Sequence, residues 1–306
     1  MKVRIGIGAI PLADGPGPGP ELAVLVDELE ARGIDSLWLS DSPSTGAIDP
    51  LVGMAYALAR TSRLKVGTGV IVLPGRNPAT VAAALASLAA LAPGRVLPAF
   101  GVRPAREPER TLFPVADGTR PAVFDEAMVV LRRLLTEPAV THHGRFFDLT
   151  DASIVPLPQK PLDLWLAGRA PVGLRRAGRL GDGWLGSLVT PEEAAEARET
   201  IAAEAARVGR RIDPDHYGTN IAVRTPEVTE AGAAAALAAV ARRRSDIDPA
   251  ALVARDWAHA RELVRQYVAA GLTKFVVRPA APVPSWAGFL DAFAGELAGL
   301  EDELSS

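Results

Sequence analysis

The chain has 306 residues, 48 % of them apolar, with 33 Lys and Arg against 36 Asp and Glu (net charge −3) and no cysteine. Charges of both signs are interleaved, which leaves no basic face for nucleic acid or anionic lipid. The missing thiols exclude disulfides, thiolate metal sites and a cysteine nucleophile. No apolar run reaches membrane-spanning length, and the N-terminal MKVRIGIGAIPL passes directly into a strand pattern without the apolar core and cleavage site of a signal peptide. A cytoplasmic globular protein is expected.

Strand-like and helix-like patterns alternate along the chain. Strands are expected at residues 3–10, 36–41, 65–73, 95–101, 162–168, 183–187, 217–224 and 274–279, each apolar enough to be covered on both faces, as parallel strands are. After the first, DGPGPGP (14–20) reads as a proline-broken mobile loop. The next helix places Leu22, Leu25, Val26 and Leu29 on one face, and Gly33 stops it. Asp49-Pro50, Asn77-Pro78 and Asp248-Pro249 each set a capping side chain before a proline at the first helical position. Thr190 and Glu193 fit a capping box, and an alanine-rich helix is expected over 228–243. Eight such units with right-handed crossovers specify an α/β fold, a (β/α)8 TIM barrel in one domain over residues 1–306. A doubly wound open sheet is the weaker alternative, because the glycine fingerprint it needs after the first strand is replaced by the proline-rich loop. Two insertions interrupt the regularity: residues 102–120 after strand four, and residues 139–161 before strand five, a β-hairpin turning at Gly144.

In such a barrel, active sites gather at the C-terminal ends of the strands. That rule selects, among others, Asp41, Ser42, Ile71, Gly101, Arg103, Gly168, Arg169, Ser187, Arg224 and Arg278. Asp41 is the one carboxylate at the top of strands one to four. Gly67 and Gly69 interrupt a strand otherwise made for a sheet interior; they either relieve crowding or let a ligand approach the backbone. Gly168 and Arg169 open the fifth helix, where free N–H groups and a guanidinium suit a phosphate as readily as a plain turn would, and Ser187 adds a hydroxyl from the next strand. The histidines His142, His143, His216 and His259 have no metal-ligand spacing, and at most one of the hairpin pair points inward. No nucleophile triad, P-loop or paired carboxylates can be assembled, so a bound cofactor is expected to carry any reaction.

Five stretches in order, GIDSLWLSD (33–41), LKVGTGVIVLPGRNPATVAAALASLAALAPGR (64–95), FDEAMVVLRRLL (124–135), PLDLWLAGRAP (161–171) and VGLRRAGRLGDGWLGS (172–187), make the chain resemble the luciferase-like monooxygenase superfamily of flavin- and deazaflavin-dependent barrel oxidoreductases. The likeness is greatest to its coenzyme F420-dependent branch. The resemblance implies a cis or bulged Gly69–Val70 peptide that, with Val70 and Ile71, backs the cofactor ring. It implies that Asp41 orients ring or substrate, that Gly101 flanks the cofactor, and that Gly168, Arg169 and Ser187 hold its phosphate. Ser42 stands where related dehydrogenases carry a histidine, and Arg103 follows Gly101 where the family repeats glycine; Ser42 is therefore a candidate catalytic position and Arg103 a candidate substrate contact. The implied activity is hydride transfer between coenzyme F420 and a small organic substrate, in a homodimer formed through the second and third helices. The alternatives are an FMN-dependent monooxygenase served by a flavin reductase, and a non-catalytic binding protein.

Overall fold

The computed structural model of the chain describes residues 1–13 and 15–305. β1 (Arg4–Gly8), α1 (Pro18–Arg32), β2 (Ser36–Leu39), α2 (Pro50–Arg60), β3 (Lys65–Thr68), β4 (Ile71–Val72) and α3 (Pro78–Leu91) come first. β5 (Val96–Leu97), β6 (Ala99–Gly101) and α4 (Arg120–Thr136) follow, then the antiparallel pair β7 (Val140–His143) and β8 (Asp148–Ala152). The rest alternates β9 (Trp165–Ala167), α5 (Pro171–Leu180), β10 (Gly183–Gly186), α6 (Pro191–Arg207), β11 (Tyr217–Val223), α7 (Glu230–Arg243), β12 (Val253–Ala254), α8 (Trp257–Ala269), β13 (Lys274–Pro279), α9 (Trp286–Glu296) and α10 (Leu300–Leu304).

Apart from the β7–β8 hairpin, the strands form one parallel sheet in the order β4-β6-β9-β10-β11-β13-β1-β2-β3-β5, with β12 on β11. Its two ends are not independent. β3 and β4 are consecutive pieces of one segment, as are β5 and β6; β3 pairs with β5, and β4 pairs with β6. The sheet therefore curls until its ends meet on the same two stretches of chain, and its strands all point to one rim.

Alternation along each strand divides the side chains between two cores. Outward residues such as Ile5, Ile7, Leu37, Val66 and Phe275 pack against Leu25, Leu29, Leu85 and Phe289 of the helices. Inward residues form a separate cluster of Trp38, Ala99, Trp165, Leu185 and Val276, with Val70 and Leu97 beside it. Two indole rings fit there because each lies over glycine. Trp38 is the register partner of Gly67, where a Cβ would sit 2.7 Å from the ring. Gly183 likewise pairs with Trp165, whose ring fills the space of its missing side chain. Glycine is the residue that permits this close approach.

Charge occupies the opposite end of the interior. Asp35 pairs with Lys65 (2.8 Å), Lys274 (3.2 Å) and Arg4 (3.5 Å). Burial raises the Asp35 carboxyl, but Lys274 and then Lys65 more than reverse that and hold it below 3.8.

The structure bears out each of the eight expected strand positions, and the caps at Asp49, Asn77 and Thr190 form as read, the last as a full capping box. The hairpin turns at Gly144, whose N–H donates to Phe147 O at 3.0 Å. His142 packs against Glu126 (3.3 Å) while His143 is exposed. Strand three is interrupted between Thr68 and Ile71, at the expected Gly69–Val70 bulge. Three expectations are corrected. Strand four is broken at Pro98, which has no N–H for the ladder. Pro18 and Pro20 stand in the first turn of α1 rather than in a loop, because that turn requires no N–H from them; Asp14 of the same stretch lies outside the described residues. Asp248-Pro249 caps only a 3-10 turn, and α8 starts later on an Asp256 cap. The added strand β12 lies between the two.

Removing the Asp35 carboxylate leaves buried Lys274 without its partner. Asp35→Ala is expected to cost about 3–5 kcal/mol in urea unfolding at pH 7. A lowered carboxyl contributes stability that is complete above its unfolded value and is lost as pH falls through the folded one. The cost of the substitution should therefore shrink below pH 3.8, and a pH-independent cost would contradict this account.

Candidate active site

The rim is built around the break in the third strand, where the Gly69–Val70 peptide is cis. The end of β2 holds this segment at four points. Gly69 N–H donates to Leu39 O (2.7 Å) and Asp41 N–H donates to Val70 O (3.3 Å). Ser40 Oγ donates to Gly69 O (3.3 Å), and Val72 N–H donates to Asp41 Oδ2 (3.0 Å). Asp41 Oδ2 also accepts from Arg76 Nη2 at 2.9 Å. The Asp41 side chain is 1 % exposed, so it acts on the rim through the bulge it braces. Burial pushes its carboxyl up, against the opposing pull of Val72 N–H and Arg76.

The two strand-three glycines part company here. Gly67 is needed by Trp38, whereas a Cβ on Gly69 would meet only Leu185 Cδ2, at 3.9 Å. The bulge thus presents open backbone above the inner apolar cluster. Gly101 lies beside it, where a Cβ would strike Val70 Cγ2 at 2.6 Å. Ile71 is placed differently: its side chain is fully buried in the outer core, so only its backbone belongs to the rim.

Ser42 precedes a short 3-10 turn, and its Oγ donates to Glu109 Oε2 at 3.4 Å. Glu109, 1 % exposed, also accepts from Ser44 N–H (3.2 Å) and Ser44 Oγ (2.6 Å). The patternless 102–120 stretch held no signal for this buried carboxylate; only tertiary folding brings it to the end of the second strand. Arg103 is exposed at the start of that loop.

Across the rim, Gly168 has φ 139° and its carbonyl accepts from Trp184 Nε1 at 2.8 Å. Arg169 donates to Arg243 O at 2.6 Å. Ser187 is half-buried at the end of β10. Burial, and then the charge of a neighbouring arginine, pulls three guanidinium groups down: Arg278 feels Arg243, Arg243 feels Arg169, and Arg169 feels Arg244. Arg244 is neutralised by Glu193 (2.6 Å) and Asp246 (2.9 Å). Arg169, Arg243 and Arg278 make no ion pair among the described residues, so positive charge accumulates on this side. The run Arg242-Arg243-Arg244 closing an alanine-rich helix was the sequence signal for Arg243.

The luciferase-like monooxygenase family model matches residues 6–294, and the chain belongs to that family. An F420-dependent glucose-6-phosphate dehydrogenase of Kineococcus radiotolerans is 32 % identical over 60 % of this chain and 56 % of its own; the chain spans little more than half the length of that relative. The dehydrogenase of the same name from Intrasporangium calvum is 30 % identical over 88 % of this chain and 90 % of its own. Among solved structures, an F420-dependent secondary alcohol dehydrogenase in complex with an F420-acetone adduct superposes with a TM-score of 0.80 at 22 % identity, covering 97 % of this chain and 98 % of that one; this likeness is one of fold.

A raised carboxyl contributes stability that is complete below its unfolded value and lost as pH rises through the folded one. Asp41→Asn should therefore flatten the fall in unfolding free energy that the wild type shows as pH rises above 3.8. Parallel pH profiles in urea titrations would refute this placement of the charge.

Proposed function

We propose that this protein is a cytoplasmic coenzyme F420-dependent oxidoreductase that moves a hydride between that cofactor and a small organic substrate. In this reading residues 1–306 form one (β/α)8 barrel domain of bacterial-luciferase type, with insertions at 102–120 and 139–161. The observation that carries it is the open backbone at Gly69, over an apolar floor and across the rim from Arg169, Arg243 and Arg278, which make no ion pair among the described residues. The residues fit the cofactor. Its flat ring needs backbone unobstructed by a side chain, which Gly69 supplies, and its phosphate needs cations not already held in ion pairs, which Arg169 and its neighbours supply. When bound, the deazaflavin ring supplies the hydride chemistry.

The chain's own residues bind and orient. Gly69, Val70 and the Ile71 backbone support the ring, Gly101 keeps the adjacent wall low, and Asp41 braces the bulge from behind. Gly168, Arg169 and Ser187 take the phosphate. Ser42 and Glu109 form a hydroxyl–carboxylate pair at the end of β2 that orients substrate, and the loop containing Glu109 covers the rim. Arg243 and Arg278, with Arg103 on the loop, favour an anionic substrate; a sugar phosphate, as named for the curated relatives, is of that class.

Titration with oxidised coenzyme F420 is expected to show binding well below millimolar concentration, with FMN weaker. Arg169→Ala should weaken F420 binding about tenfold or more through loss of a charge-assisted contact. Failure of F420 to bind below millimolar, or tighter binding of FMN, would overturn the reading. The outer faces of α2 and α3, with Val52 62 % and Leu91 79 % exposed, support a homodimer. Sedimentation velocity should give twice the chain mass, and Leu91→Arg with Val52→Arg should return it to monomer.

A further inference from the structure

Arg76 follows strand three and touches three separate parts of the rim. Its Nη2 donates to Asp41 Oδ2 (2.9 Å) and to Asp49 Oδ2 (3.3 Å). Its guanidinium carbon lies 5.5 Å from the centre of the Phe113 ring, at the far end of the 102–119 loop. The preceding Gly75 has φ 97°, and a Cβ there would come within 2.7 Å of the Phe113 carbonyl carbon. The Arg76 backbone is itself anchored, its N–H donating to Leu73 O at 3.0 Å. Asp41, Asp49 and Phe113 lie on three different elements, and one planar guanidinium serves all of them.

We infer that Arg76 is a positioning residue: through Asp41 it sets the Gly69–Val70 platform, and through Phe113 it seats the 102–119 loop over the rim. Asp41 Oδ2 is shared by Val72 N–H and Arg76. Without the guanidinium that oxygen is a buried charge with one neutral donor, and its hold on Val72 weakens as it takes up a proton or turns away. On the other side, Phe113 is 4 % exposed, and Glu109, which accepts from Ser42 and Ser44 at the end of β2, is on the same loop. A lysine reaches a carboxylate as a point charge but cannot bridge two while stacking on a ring. The two functions of Arg76 are therefore separable by substitution.

Only the cofactor-binding arm of the test rests on the F420 reading. Three variants of the full chain, R76M, R76K and F113L, are compared with wild type for trypsin cleavage after Arg106 and Arg110, for oxidised F420 affinity, and for unfolding stability against pH. R76M should raise cleavage in the loop about fivefold or more, relative to sites elsewhere. It should also weaken F420 binding about tenfold. Its stability should go on falling to higher pH than wild type, because Asp41, now facing only Asp49 and Val72 N–H, is pushed further up. R76K should restore binding and the pH profile but leave the loop cleavable. F113L should free the loop alone. If wild type binds no F420, the functional reading fails while cleavage and pH profile still decide the role of Arg76. Loop cleavage and pH profile both unchanged in R76M, or changed only in proportion to its global stability, would overturn the inference.

Discussion

The hydrogen bond from Val72 N–H to the Asp41 carboxylate is the constraint on which the rim depends. A parallel sheet cannot keep its ladder through the break in strand three, so the polar groups of residues 69–72 need partners from outside the ordinary register. The end of β2 supplies them: Leu39 O, Ser40 Oγ, Asp41 N–H and the Asp41 carboxylate each take one. Because these donors and acceptors come from consecutive residues on a rigid strand, the open backbone at Gly69 is held in one place. A carboxylate buried for this purpose needs a counter-charge, which ties the platform to Arg76 and so to the covering loop.

The platform would be useless if the interior beneath it were hollow or wet. Trp38 and Trp165 close it, and they do so because strands on either side omit their side chains. Gly67 of β3 lies under the Trp38 ring, and on β1, at the other flank of β2, a Cβ on Gly6 would strike Ser36 and come 3.0 Å from Trp38 Nε1. The far end is sealed by Asp35 and its three cations. Packing of large rings against bare backbone and charge pairing at the base fill the interior beneath the C-terminal rim.

The two sides of that rim differ in electrostatics. The side of β2 and β3 carries buried carboxylates, Asp41 and Glu109, each enclosed by donors. The side of β9, β10 and β13 carries arginines repelled by one another. Such an excess of positive charge is stable only because the guanidinium groups retain some access to water or to an anion. A ligand with an apolar ring and anionic ends complements that division.

What was legible in the sequence is what local chemistry decides. Alternating apolar runs placed eight strands, and caps such as Asp49 and Asn77 followed from hydrogen bonds that span two residues. Gly69 stood out because glycine is anomalous in a buried strand, and Gly168 and Arg169 because a strand-to-helix turn is recognisable from a few neighbours. Other features depended on partners distant in the chain. Ser44 meets Glu109 across 65 residues and Arg169 meets Arg243 across 74, and no periodicity records such meetings. The different duties of Gly67 and Gly69, alike in sequence, were settled by whether an indole lay above them. The sequence by itself determined the parallel α/β architecture, because burial and capping act over a few residues, and its likeness to a known family marked the position of the bulge. Only the tertiary structure decided which carboxylates are enclosed and which arginines lie beside one another, because that depends on the closing of the sheet around them.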